Sequence, residues 1–163
     1  MYCQKVCLIG ASAVGKTSLV RHFVDGIFAD KYLTTIGVKI DKHQVVTKQG
    51  EVQLLIWDIE GTDRFCGFNT RYLNGANAYI VVLDQSRPKS AVDALTLLSM
   101  AKDYSDAPAY LAINKSDLNG QLSQDLHAQL ENAGFAQVIN TSAKTGENVE
   151  QLFRSIAEQE VVR

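Results

Sequence analysis

The feature that most constrains this chain is a strand-sized apolar run, Val6 to Ile9, that leads straight into GASAVGKT, Gly10 to Thr17, with a helical pattern, Thr17 to Val24, behind it. Those eight residues satisfy G-x-x-x-x-G-K-[ST], which arises by chance in well under about one chain in a hundred. The pattern has meaning only between a strand and a helix, and that is where it stands. The rest of the chain continues the alternation. Val38 to Thr47 and Val52 to Trp57 flank the turn KQGE, so they read as a hairpin in which Gly50 takes a positive φ. Ala78 to Leu83 and Ala109 to Ile113 are apolar without alternation, as strands covered on both faces should be. Ser90 to Tyr104, with Val92, Leu95, Leu98 and Met100 at nearly helical spacing, reads as a helix, as do Ser123 to Ala133 and Glu147 to Glu158 on either side of the short run AQVIN. Strand and helix alternating in this way predict an α/β fold. Its sheet is mostly parallel with helices on both faces, and ligands bind at the carboxyl ends of the strands.

At 163 residues, 46% apolar and with a net charge of −2, the sequence is expected to form one domain over residues 1–163. No linker, repeat or charge block interrupts it. Cys3, Cys7 and Cys66 have neither disulfide nor zinc spacing, which fits a reducing cytosol. The near-neutral balance without a basic run gives no footprint for nucleic acid. No apolar run is longer than a strand, so a soluble chain is expected; a cytoplasmic monomer is the expectation.

The glycine-rich loop carries chemistry for a physical reason. Glycines let backbone N–H groups curl around a phosphate, and the helix starting near Gly15 aims its positive end at the same anion. Lys16 would meet the outer phosphates and Thr17 would place its hydroxyl on Mg²⁺. A polyphosphate nucleotide is implied. Asp58 ends a hydrophobic strand at the same sheet edge. Alone it could equally be a turn residue; beside the phosphate loop the metal role is favoured, with a water between carboxylate and ion. NKSD, Asn114 to Asp117, follows the fifth strand, and TSAK, Thr141 to Lys144, follows the sixth. A carboxylate can accept from both guanine edge donors, N1–H and N2–H, whereas adenine presents no such pair, so Asp117 would select guanine.

The order GASAVGKT, TTIG, WDIEG, NKSD, TSAK resembles a Ras-like small GTPase over essentially the whole chain. Within that superfamily the pattern is most similar to the Rab branch, through Ser12, TTIGVKI at residues 34–40, WD, RF and RYLNGANAYIVVLD at residues 71–84. The resemblance implies a P-loop NTPase G domain: a six-stranded sheet with one antiparallel edge strand, GTP/GDP and Mg²⁺ as ligands, and two mobile switches. By position, the backbone of Ala13, Val14, Gly15 and Lys16 would cradle phosphates, with Thr17 on Mg²⁺ and Ser18 at the α-phosphate. Phe28 matches the aromatic beside guanine, Thr35 a second Mg²⁺ ligand that senses the γ-phosphate, and Gly61 the glycine whose N–H meets that phosphate. Asn114, Lys115 and Asp117 match the guanine motif, supported by Ser142, Ala143 and Lys144, the Ala143 N–H meeting guanine O6. Protein effectors and regulators, an exchange factor and an activating protein among them, would read the switches through Ile36, Gly37, Val38, Trp57, Phe65 and Tyr72, although Val38 and Trp57 could equally pack the hairpin.

Two departures matter. The family's second switch reads D-T-A-G-Q-E, whereas this chain has DIEGTD, Asp58 to Asp63. Thr62 replaces the glutamine that orients water, and its short hydroxyl cannot match that amide. Hydrolysis should therefore be slow, yet positioning and charge neutralisation, which dominate phosphoryl transfer, are intact. Glu60 replaces a small alanine; it could repel phosphate, bridge to the metal or face solvent, the last being the expected state. No arginine of the phosphate loop can act as a finger in cis. The second departure is the absence of a C-terminal cysteine for prenylation, so no direct membrane anchor is expected in this chain; a lipidated tail, if one continues beyond it, would make it peripheral to membranes. Two other classes compete with a slow switch: a guanine-nucleotide scaffold without useful hydrolysis, favoured by Thr62 and Glu60, and a small-molecule kinase, which lacks an Arg-rich lid and leaves NKSD unexplained. His22, His43 and His127 read as surface residues, and Asp84 as a strand terminus.

Overall fold

The apolar runs become strands buried on both faces. The computed structural model describes residues 2–11, 13–25, 38–59, 70–118 and 122–161. Its elements are β1 (Tyr2–Ile9), α1 (Lys16–Asp25), β2 (Val38–Thr47), β3 (Gly50–Ile59), β4 (Ala78–Asp84), α2 (Pro88–Tyr104), β5 (Ala109–Asn114), α3 (Gln124–Glu131), β6 (Gln137–Asn140) and α4 (Val149–Val161). The strands form one six-stranded sheet in the order β2-β3-β1-β4-β5-β6. Every pair is parallel except β2 with β3, a hairpin in register from Val38 opposite Ile59 to Thr47 opposite Gly50. Gly50 has φ +129°, as the tight connection requires.

Because strand side chains alternate between faces, a run such as Val6-Cys7-Leu8-Ile9 feeds two cores at once. Val6 and Leu8 join Leu54, Ile56, Ile80 and Val82 in one cluster, closed by Leu19 of α1 and Phe153 and Ile156 of α4. Cys7 and Ile9 join Tyr79, Val81, Leu83 and Leu111 in the other, closed by Ala94, Leu97 and Leu98 of α2 and Leu130 of α3. At about 25 cal/mol per Å² of apolar area, burial on both faces makes these strands the stable frame of the molecule. Strand β1 lies between β3 and β4, and the chain after it builds β2 and β3 on one side and then β4, β5 and β6 on the other, so the carboxyl end of β1 is the point where the sheet's winding reverses.

The structure corrects three details. The buried stripe of α2 is Ala91, Ala94, Leu97, Leu98 and Ala101, and Val92 is 54% exposed. Spacing of three throughout, as in Val92, Leu95 and Leu98, drifts around a helix of 3.6 residues per turn, whereas 91, 94, 98 and 101 keep to one face. Helix α4 begins at Val149 rather than Glu147, because Asn148 has φ +56° and the Glu147 carbonyl accepts from Ser142 N. His22 and His43 are half-buried: the His43 ring packs edge-on against Phe23 at 4.4 Å, and the His22 ring lies against Gly146.

Candidate functional site

The loop after β1 is held by backbone geometry that its residue types permit. Ala13 has φ +62° and Gly15 φ +103°, and α1 starts directly behind them. A Cβ on Gly15 would collide with the Asn114 amide, and one on Gly10 would lie 2.5 Å from the Val82 carbonyl oxygen. Both glycines are therefore needed for close approach, and Gly15 for its positive φ as well. Lys16 is folded back into the loop, where its Nζ donates to the Gly10 and Ala11 carbonyls, each at 3.2 Å. Burial lowers its pKa to about 8 against the opposing pull of Asp58. A buried ammonium bonded to neutral carbonyls at the head of a helix is a site for an anion.

Asp58, one residue from the end of β3, is 1% exposed. Its Oδ2 accepts from the Thr17 hydroxyl at 2.6 Å, while Oδ1 has no hydrogen-bond partner among the described residues. Burial raises its pKa, against the stabilising bond from Thr17 and the charge of Lys16. An unsatisfied carboxylate oxygen beside a hydroxyl is costly unless a cation shares the site. These two oxygen donors fit a hard divalent ion such as Mg²⁺, which takes one or two protein groups and keeps several waters.

Loops after β5 and β6 form the other end. Asn114, fully buried, donates from Nδ2 to the Val14 carbonyl at 2.8 Å and accepts from Thr141 Oγ1 at 3.1 Å. One side chain thus ties the phosphate loop to both later loops. Lys115, with φ +64°, donates to the Ala13 carbonyl at 3.2 Å and pairs with Asp84 at 2.8 Å. The exposed Asp117 accepts from Ser142 Oγ at 2.7 Å through Oδ1, which orients the carboxylate. The two loops are laced further by Ser116 N to the Thr141 carbonyl, 2.9 Å, and Ser116 Oγ to Glu147 Oε2, 2.7 Å. Ser18, Ser142 and Ala143 are buried and Lys144 is exposed.

The structure therefore gathers Ala13 to Ser18, Asp58, Asn114, Lys115, Asp117 and Ser142 to Lys144 along one edge of the sheet. Phe28, Thr35, Glu60, Gly61 and Thr62 lie outside the described residues, as do Ile36, Gly37 and Phe65. Trp57 and Tyr72 stand with ring centroids 6.5 Å apart, and Lys5 Nζ lies 3.8 Å from the centre of the Trp57 ring. Sequence reasoning placed Ser116 and Thr141 within the two base motifs without giving either a role, and it missed Glu147 and Asp84 as parts of the site. Asp84 carried a readable signal, since an acid that closes a wholly apolar strand is costly unless paired. A separate cavity of about 520 Å³ is lined by His22, Phe23, His43, Val45 and Arg154 among others, and none of its lining residues carries a candidate nucleotide contact.

Residues 5–161 match the model of the Ras family. Among similar relatives, the Ras-related protein Rab-24 of Dictyostelium discoideum is 35% identical over 161 residues, covering 94% of this chain and 79% of the relative. The Ras-related protein Rab-19 of Mus musculus is 30% identical over 167 residues, covering 99% and 77%. The Ras-related protein SEC4 of Candida albicans is 29% identical over 158 residues, covering 94% and 75%.

Proposed function

This chain belongs to the Ras family, and we propose that it is a Rab-like guanine-nucleotide switch that binds GTP and GDP with Mg²⁺ and hydrolyses GTP slowly. The observation that carries the reading is the Asn114 side chain, which bonds Val14 on one side and Thr141 on the other, so that the phosphate loop and the two base loops act as one site. In this reading Lys16 and the backbone of Ala13 to Gly15 bind the phosphates, and Ser18 adds a hydroxyl. Thr17, Asp58 and Thr35 hold the metal, which when bound neutralises charge on the phosphate oxygens. Asp117 reads guanine, with Ser142, Ala143 and Lys144 beside it and Phe28 against the base. Gly61 meets the γ-phosphate, and Thr62 stands where a glutamine would orient water. Effectors, an exchange factor and an activating protein would bind the two switches of a monomeric, cytoplasmic chain. Vesicle traffic or signalling is the kind of process such a switch would regulate.

A second reading is favoured by Thr62 and Glu60: a scaffold that holds guanine nucleotide without useful hydrolysis. Both readings require guanine selectivity. Competition of GDP, IDP and ADP against a fluorescent GDP tests it. Inosine lacks the N2–H donor, so IDP should bind about ten- to a hundredfold more weakly than GDP, and ADP more weakly still. In Asp117→Ala the gap between GDP and IDP should close. Equal competition by all three would contradict both readings.

A further inference from the structure

The fourth strand ends in an acid that no part of the nucleotide reading uses. Asp84 is 1% exposed, closes the all-apolar run of β4, and lies in register with Asn114 of β5. Its Oδ2 pairs with Lys115 Nζ at 2.8 Å. Its Oδ1 accepts from Ser86 N at 2.9 Å and Ser86 Oγ at 2.6 Å. Ser90 also braces the turn that follows: its Oγ accepts from Asp84 N, and its one hydroxyl hydrogen is shared between the Arg87 carbonyl at 2.7 Å and the Asp84 carbonyl at 2.9 Å. The turn into α2 therefore has its own bonds, whereas the carboxylate oxygen turned to the lysine has a different job.

Lys115 is the residue that needs help. It sits at φ +64°, a strained conformation for a non-glycine residue, and its ammonium reaches 3.2 Å from the Ala13 carbonyl, itself at φ +62°. Two strained backbone positions, 102 residues apart in sequence, are thus linked through one flexible four-carbon side chain. Without an anchor, its rotamer freedom would work against the link.

We propose that Asp84 is a positioning residue for nucleotide retention: it holds Lys115 across the site, so that the phosphate loop and the base loops cannot separate while nucleotide is bound. This rests on the guanine-nucleotide reading above and adds a residue to it. Its carboxyl is suited to the task. Burial pushes its pKa up, but the bonds from Lys115 and Ser86 outweigh that and hold it below the usual carboxylate range, so it is charged at neutral pH. Because Asp84 acts on the lysine, it should slow release of GDP and GTP alike and leave the cleavage step untouched.

The test is a double-mutant cycle on release of fluorescent GDP from the Mg²⁺-loaded protein, using Asp84→Ala, Asp84→Asn, Lys115→Met and the two double variants. Asp84→Asn keeps the shape and an acceptor for Ser86 while removing the charge, so it guards against a variant that fails to fold. Loss of a charge-assisted contact should speed release about tenfold or more in Asp84→Ala, with Asp84→Asn between it and the native rate. In the Lys115→Met background, either change at Asp84 should add less than about twofold. Equal acceleration with and without Lys115 would overturn the proposal and leave Asp84 as a terminus of β4, as would native release rates in both Asp84 single variants. A native protein that retains no guanine nucleotide would instead defeat the functional reading on which the proposal stands.

Discussion

The Thr17 hydroxyl donates to Asp58 Oδ2 at 2.6 Å, joining the first turn of α1 to the end of β3 across 41 residues of sequence. The two groups that would face a metal are bonded to each other, and the second carboxylate oxygen is buried with no partner among the described residues. Chelation of Mg²⁺ should therefore accelerate GDP release from the native protein by about tenfold or more, roughly 1.4 kcal/mol or above. Asp58→Ala should release GDP at the fast rate whether or not Mg²⁺ is present. Stopped-flow release with and without EDTA measures both. A native rate indifferent to EDTA would contradict the assignment.

The central bond of the site is also a stability element. Replacing Asn114 by Ala strands the Val14 carbonyl and removes the acceptor of the Thr141 hydroxyl, both in buried surroundings. Unpaired buried groups of this kind cost about 1–3 kcal/mol each. Asn114→Ala should lose about 2–4 kcal/mol in urea denaturation without nucleotide and lose tight GDP binding as well. Native stability with lost binding would instead make Asn114 a contact to ligand alone.

Asp84 gives a pH signature. Its carboxyl is held below the usual range in the folded chain, so it stabilises the fold above its unfolded pKa of about 3.9, and that contribution disappears as pH falls through the folded value. The stability difference between the native protein and Asp84→Asn should be constant from about pH 7 to about pH 5 and shrink below about pH 4. Urea melts at three pH values check this. A difference that does not change with pH would mean that the charge on Asp84 contributes nothing.

Most of the frame was legible because two-sided burial leaves an unmistakable trace: apolar runs without alternation at Val6 to Ile9, Ala78 to Leu83 and Ala109 to Ile113. The phosphate loop was legible because its glycines are demanded by backbone approach, to Val82 at Gly10 and to Asn114 at Gly15. The face of α2 was misjudged because its core stripe is built largely from alanines, which carry little signal beside Val92 and Leu95. What could not be read was lateral linkage. Asn114 matched a base motif, yet its side chain reaches back 100 residues to Val14. Asp84 at the end of an apolar strand signals that a partner exists, but nothing local says that it lies 31 residues on. Long-range pairing of single polar groups leaves no periodicity.

Whether residues 57–65 take part in cutting a bond is decided by one reaction. The protein is loaded with GTP and Mg²⁺, and GDP formation is followed in a single turnover, with Thr62→Gln and Glu60→Ala alongside. A switch with a detuned second loop predicts slow cleavage in the native chain and about tenfold or more acceleration in Thr62→Gln, the scale of one restored contact to the attacking water. GTP that stays intact in the native chain and in Thr62→Gln would contradict the switch and leave a protein that holds nucleotide without cleaving it.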